Sequence, residues 1–362
     1  MTGFNVAARR IAITLAGVCF SVAVPHAAAQ IGFRYEQIEI DAGDEVALAG
    51  TLRVPDADGP VPAVVLITGS GDHVRDQIIS GAPMFRWLAD HLAACGIATL
   101  QIDTRGTGDS TGVGYPIQTT AGRVADVRRC VEFLRARAEI DPARVGLLGH
   151  SEGSMIAPLV CERDPAIAFC VLLACPARPG REIFVQQQML GTESAPAEER
   201  AAIRAAIDNI VEVSLAEPTQ DELRAAADDV LVAFGRDRAT LTPESSAGIV
   251  RIHSAPWYVE YLASDPERPL RLLTVPTLAI YGAMDEQTPP RLDAPRLATA
   301  LAEAGNDDCT IRIIPDEGHF FLRSPGAAPG DHAWGTARLN PDMMRMVGQW
   351  IADHTRAASA LP

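Results

Sequence analysis

Three residues of this chain sit where nucleophilic chemistry would want them: Ser151, Asp285 and His319. Ser151 lies in Gly149-His150-Ser151-Glu152-Gly153-Ser154, a G-x-S-x-G pattern short enough to arise by chance. Its surroundings make it informative. Arg144-Val145-Gly146-Leu147-Leu148 reads as a short buried strand bounded upstream by Asp141-Pro142, and Ser154 to Cys161 reads as the start of an apolar helix. Strand, sharp turn and helix form a nucleophile elbow, in which small neighbours such as Gly149 and Gly153 let the turn lift a hydroxyl clear of the backbone. The motif alone is equally compatible with an ordinary strand-to-helix turn.

A serine hydroxyl is a weak nucleophile at neutral pH and needs a base, which in turn needs a carboxylate to orient it. Asp285 follows the apolar run Thr277 to Tyr281, and His319 follows the run Cys309 to Ile314. Each therefore falls in a loop at the end of an expected strand. Glu286 and Asp316 are the fallback carboxylates, and His332, in a Gly/Pro-rich loop, is the fallback base. His150 adjoins Ser151 too closely in sequence to reach its hydroxyl comfortably. Acyl transfer also needs donors for the developing oxyanion, each worth about 3–4 kcal/mol. The backbone N–H of Glu152 is one candidate. The Ser70 N–H, with Gly71 as alternative, is the other, from the glycine-rich loop Thr68-Gly69-Ser70-Gly71-Asp72. No Gly-Lys-Ser/Thr follows that loop, which disfavours a phosphate cradle.

The elements that must hold these residues alternate. A hairpin is expected from Gln37–Ile40 and Val46–Val54. Strands are expected at 61–67, 97–102, 145–148 and 167–173, with helices at 85–94 and 121–138. Such alternation predicts a mostly parallel sheet covered on both faces. From about 181 to 265 the pattern is helical only, with amphipathic stretches at 197–215 and 219–234 and a capping box at Thr219-x-x-Glu222. Alternation then resumes with strands at 277–281 and 309–314 and helices at 294–304 and 343–355. The expected organisation is an α/β core of residues 30–180 and 266–362, interrupted by a helical cap of 181–265 that shapes the substrate pocket and excludes water.

The chain has 362 residues, is 48% hydrophobic and carries a formal net charge of −15; its basic residues are all arginine. So acidic a chain offers no electrostatic footprint for nucleic acid. Arg9 and Arg10, the apolar stretch Ile11 to Val24 and Ala27-Ala28-Ala29 read as a cleavable signal peptide of residues 1–29, which predicts export by a bacterium to the periplasm or medium, by the general or the twin-arginine route. The run is short for a membrane span. Seven cysteines show neither C-x-x-C nor zinc spacing, and Cys161, Cys170 and Cys175 lie in expected core segments; buried thiols are anticipated, with room for one disulfide. No metal or cofactor is called for.

Four stretches carry a family resemblance: the hairpin Val46 to Leu52; Gly69-Ser70-Gly71 followed by Arg75-Asp76; Asp103-Thr104-Arg105-Gly106-Thr107-Gly108-Asp109-Ser110; and Pro256-Trp257-Tyr258 with Tyr261 before Asp265-Pro266. Together they resemble the bacterial α/β-hydrolase-fold serine esterases related to the prolyl-oligopeptidase and dienelactone-hydrolase groups, over nearly all of the chain after the signal segment. The resemblance implies hydrolysis of small-molecule carboxylic esters with Ser151, Asp285 and His319 as triad, and the chain order Ser, Asp, His is that of the fold. The oxyanion loop departs from the family pattern at Thr68, Asp72 and Val74, which affects the pocket entrance. A serine peptidase remains the rival within enzymes, and a catalytically silent binding protein the rival outside them.

Overall fold

The chain enters the fold through two antiparallel strands, β1 (Phe33–Asp41) and β2 (Ala47–Pro55), whose connection turns through Gly43, Asp44 and Glu45 at positive φ. The computed structural model describes residues 31–324, 326, 328 and 335–356; the expected signal segment, Cys19 and His332 lie outside the described residues. After β3 (Val61–Ile67) come the two-residue strands β4 (Ile78–Ile79) and β5 (Ala82–Pro83), then α1 (Met84–Ala94), β6 (Ala98–Ile102), α2 (Thr120–Arg135), β7 (Ile140–His150), α3 (Glu152–Arg163) and β8 (Cys170–Leu173). Helices follow without an intervening strand: α4 (Gly180–Gln188), α5 (Ala197–Leu215), α6 (Gln220–Ala233), α7 (Pro243–His253), α8 (Pro256–Ala263) and α9 (Glu267–Leu270). The chain closes with β9 (Thr277–Gly282), α10 (Pro290–Glu303), β10 (Cys309–Ile314), the short β11 (Leu322–Arg323) and β12 (Arg338–Leu339), and α11 (Pro341–Thr355).

Eight strands form the main sheet in the order β1-β2-β6-β3-β7-β8-β9-β10, parallel from β6 onward. β8 and β9 are buried along their whole length, as strands covered on both faces must be. Successive residues of β3 serve opposite faces, the period-2 consequence of the pleat. Val65 and Ile67 pack with α2, α3 and α10 (Val131, Ile156, Leu297), whereas Val64 and Leu66 pack with α1 and α11 (Leu88, Val347). Each such buried aliphatic side chain contributes about 1.5–3 kcal/mol of transfer free energy.

β7 begins at Ile140, earlier than its apolar run predicts, because the ladder with β3 is irregular there: Val61 pairs with Ile140, and regular pairing resumes at Ala63 with Val145. Pro142 falls in the skipped stretch, where it forfeits no ladder hydrogen bond. β8 is shorter than the apolar run 167–173, and α2 stops at Arg135, three residues before its expected end. In the helical insert, Thr219 and Glu222 form the capping box on α6. The insert has its own apolar centres, one around Ile207, Val211 and Trp257, the other around Ile210, Leu223 and Val250. The parallel strands β3, β7, β8, β9 and β10 therefore deliver their C-terminal ends to one edge of the sheet, the edge where ligands bind in open α/β folds.

Candidate active site

Ser151 sits between β7 and α3 with φ 55° and ψ −122°, a conformation costly for any residue with a Cβ. The turn closes only because its neighbours are glycines. A Cβ on Gly149 would lie 2.2 Å from the carbonyl oxygen of Gly153, and one on Gly153 would lie 2.1 Å from that of Ile67. The Ser151 N–H donates to Leu173 O at 2.9 Å, tying the turn to β8.

His319 Nε2 stands 3.0 Å from Ser151 Oγ, and His319 Nδ1 stands 2.8 Å from Asp285 Oδ2. The carboxylate can only accept, so Nδ1 carries the imidazole proton and the Nε2 lone pair faces the serine hydroxyl. Asp285 is 3% exposed and fully engaged. Its Oδ1 accepts from the N–H groups of Gln287 and Thr288 at 2.8 and 2.9 Å, and its Oδ2 also accepts from the Thr288 hydroxyl at 2.6 Å. Burial works to raise the Asp285 pKa, but the facing His319 and the hydrogen bonds from His319 and Thr288 outweigh it and bring the group to about 2. Of the fallback carboxylates, Glu286 and Asp316 are both exposed, and neither meets the imidazole.

Ser70 and Glu152 border the same cavity as Ser151 and His319. Neither N–H has an acceptor among the described residues. Glu152 opens α3, so its N–H is one of the unsatisfied donors at a helix N-terminus, where the dipole favours negative charge. A Cβ on Gly69 would lie 3.4 Å from the Ser151 Cβ, which measures how closely the loop approaches that serine. Gly71, the alternative to Ser70, is not among the residues lining the cavity.

Other residues act here that motif reading passed over. His150, considered only as an alternative base, points away from Ser151. Its Nε2 donates to the His319 carbonyl at 2.9 Å and its Nδ1 accepts from Gln77 Nε2 at 2.7 Å. Gln77 Oε1 in turn accepts from the Gly69 N–H at 3.3 Å. One buried chain thus couples the loop 68–72 to the backbone of His319. The Glu152 side chain is buried as well. It pairs with Arg123 at 3.0 Å, outside hydrogen-bonding geometry for that oxygen, and its Oε1 accepts the Trp257 indole N–H at 2.9 Å. Trp257 belongs to α8, so the helical insert is pinned to the residue beside Ser151. The Asp285-x-x-Thr288 turn was visible as an Asx pattern. The Gln77–His150 contact spans 73 residues and left no local signal.

Two buried histidines in this half of the molecule resist protonation. Burial, reinforced by the neighbouring His319, pushes His150 down to about 3, and burial pushes His253 down to about 4. His253 lies in the insert, its Nδ1 2.8 Å from Ser214 Oγ and its Nε2 3.2 Å from the Tyr258 hydroxyl. Both folded pKa values lie below the ordinary 6.5, so between them and 6.5 the unfolded chain binds more protons and stability rises with pH. Lowering the pH from 7 to 5 is expected to cost on the order of 1–2 kcal/mol per histidine. Urea unfolding at the two pH values checks this: His253→Gln should shrink the difference, and an unchanged difference would contradict it.

The cavity has a volume of about 440 Å3. Tyr115, Phe184, Trp257, Tyr258, Tyr261 and Phe320 give it an aromatic wall, with Gln187, Gln188 and Gln287 supplying amides. The rings pack closely: Tyr115 meets Trp257 edge-on at 4.8 Å, and Tyr261 stacks on Trp257 at 5.4 Å. No cluster of His, Cys, Asp and Glu suited to a metal occurs among the described residues, and the six described cysteines are free thiols.

Comparison with known proteins identifies the family and the fold. Esterase EstD of Thermotoga maritima is 24% identical over 306 residues, which cover 84% of this chain and 65% of EstD, just under two thirds of that relative. The α/β hydrolase GrgF of Penicillium sp. sh18 superposes with a TM-score of 0.54 at 14% identity, over 89% of this chain and 99% of GrgF. The Pyrococcus furiosus esterase Pf2001 gives a TM-score of 0.54 at 14% identity, over 89% and 93% of the two chains. Residues 59–325 match the family described as Serine aminopeptidase, S33. That match covers most of the chain, and the protein is accordingly a member of the S33 serine aminopeptidase family, with the α/β-hydrolase fold.

Proposed function

We propose that this protein is a serine esterase that cleaves neutral carboxylic esters through an acyl-enzyme. The observation that carries the reading is the unbroken hydrogen-bond path from Ser151 Oγ through His319 to Asp285, at 3.0 and 2.8 Å, on the wall of a cavity. His319 Nε2 takes the proton as Ser151 Oγ attacks the ester carbonyl carbon. The oxyanion is held by the Glu152 and Ser70 N–H groups. The tetrahedral centre collapses, His319 protonates the departing alkoxide, and the acyl group stays on Ser151. Water deprotonated by His319 then attacks the acyl carbon, and the acid leaves with Ser151 restored. Asp285 holds the imidazole tautomer throughout. The helical insert is the cap that walls the cavity from the solvent side.

The family description raises amide cleavage of peptides as a second reading. An aminopeptidase must recognise an N-terminal ammonium group. Among the described residues, the only carboxylate lining the cavity is that of Glu152, and Arg123 already neutralises it. That favours an uncharged ester. Labelling with a fluorophosphonate, peptide mapping, and parallel assays of 4-nitrophenyl esters and aminoacyl 4-nitroanilides test the proposal. The expected result is one adduct, on Ser151, with esters turned over faster than anilides. Faster anilide turnover would make it a peptidase, and folded protein without an adduct would make it a binding protein. Export is part of the same proposal, and mature protein beginning at Gln30 is the expected readout.

A further inference from the structure

A second cavity, of about 380 Å3, lies beyond the wall beside the nucleophile. Its apolar lining comes from Met155, Ile156 and Leu159 of α3 and from Ala263, Pro266 and Pro269 around the end of α8. Glu152 and Tyr261 line this cavity and the catalytic one alike, so these two residues stand where the two cavities adjoin. The charged groups of the rim are already partnered. Glu260 accepts from the Thr120 N–H at 2.7 Å, Asp265 accepts from the Glu267 N–H at 3.1 Å, and Arg268 pairs with Glu162 at 2.7 Å. What the cavity offers a ligand is therefore carbon surface.

Its place along α3 indicates which ligand. The helix starts at the nucleophile and rises about 1.5 Å per residue, which puts Leu159 about 12 Å along the axis from Ser151. An extended hydrocarbon advances about 1.2 Å per bond, a third of the reach of a three-bond backbone residue. A chain of roughly eight to ten carbons on Ser151 Oγ thus spans the distance to the outer end of the cavity. Tyr261 is common to the linings of the two cavities. Its ring is held by stacking on Trp257, and its hydroxyl has no hydrogen-bond partner among the described residues, so a swing of the ring breaks no hydrogen bond.

We infer that this second cavity is the acyl-chain site, taking the linear, medium-length hydrocarbon chain of the ester's acid part, with Tyr261 as its gate. The inference rests on the esterase reading and adds a substrate class to it. The experiment measures kcat/KM for 4-nitrophenyl esters from acetate to dodecanoate, with wild type, Ala263→Trp and Leu159→Trp. Ala263 is exposed at the cavity wall, so an indole there fills space without entering the core. The acyl group of acetate ends short of the second cavity and serves as internal reference. Wild type should gain with each added methylene up to about ten carbons, by at most about fourfold per step, the equivalent of ~0.8 kcal/mol. Both variants should lose tenfold or more on decanoate and stay within twofold on acetate. A wild-type profile that is flat or falling from acetate, or variants that lower acetate and decanoate equally, would overturn the inference while leaving the esterase standing. So would variants that discriminate among alcohol chains but not acid chains. If wild type hydrolyses no ester, the esterase reading has failed, and calorimetric titration of Ser151→Ala with decanoate still decides the cavity: binding that Ala263→Trp abolishes upholds a hydrocarbon site, and no binding removes it.

Discussion

Replacing Ser151 with alanine is expected to lower kcat/KM for ester hydrolysis by about 10⁵–10⁶-fold, while the folded state survives unchanged. The size follows from the loss of covalent catalysis as a whole: without Oγ, His319 has no proton to take and no acyl-enzyme can form. What remains is the cavity and the oxyanion donors, which alone still give about 10³–10⁴ over water in enzymes of this type. Stability should hold because the side chain contributes only its contact with His319, and alanine keeps the Cβ and its strain. The turn itself sits at φ 55° and ψ −122°, a strain of about 1–3 kcal/mol for a residue with a side chain. Ser151→Gly should therefore be equally inactive but melt at a higher temperature than Ser151→Ala. Initial rates on 4-nitrophenyl acetate and two thermal melts are sufficient. Activity within tenfold of wild type in either variant would remove Ser151 from the mechanism.

Asp285→Asn is expected to lower kcat by about 10⁴-fold with little change in KM. The reason lies in the partners of each oxygen. Oδ1 accepts from the Gln287 and Thr288 N–H groups, so the amide of an asparagine must keep its carbonyl oxygen on that side. The NH2 group then faces His319 Nδ1, which is made to accept. The imidazole proton moves to Nε2, facing Ser151, and the base is lost. Stability should also change with pH. Asp285 is held at about 2 against its ordinary 3.8, so its stabilisation is complete above about pH 4 and disappears as the pH falls toward 2. The difference in stability between wild type and Asp285→Asn should narrow over that window. A variant retaining a tenth of wild-type kcat would contradict the orienting role.

Much of this architecture could be read from local patterns. The strands Val61–Ile67 and Cys309–Ile314 and the helix Ala197–Leu215 occur at the bounds their periodicity predicts, because apolar runs and amphipathic stripes report burial directly. Ser151, Asp285 and His319 stood out because each follows such a strand. The two glycines flanking the serine fitted an ordinary strand-to-helix turn equally well, and it was the conjunction with Asp285 and His319 that set the motif apart. Element ends were less legible. β7 starts early at Ile140 through a register irregularity that depends on its partner β3, and no property of Ile140 to Arg144 announces that pairing.

The amino-acid sequence by itself determined the alternating α/β core, the helical interval within it and the short list of residues able to do chemistry. These depend on periodicity, turn chemistry and residue type, which are properties of neighbouring residues. Only the tertiary structure decided which groups meet. It put His319 3.0 Å from Ser151, turned His150 away to bond the His319 carbonyl, buried Glu152 against Arg123 and Trp257, and left a largely apolar cavity along α3. Those contacts join side chains far apart in the chain, and their distances are set by how strands and helices pack, a constraint that no window of sequence contains.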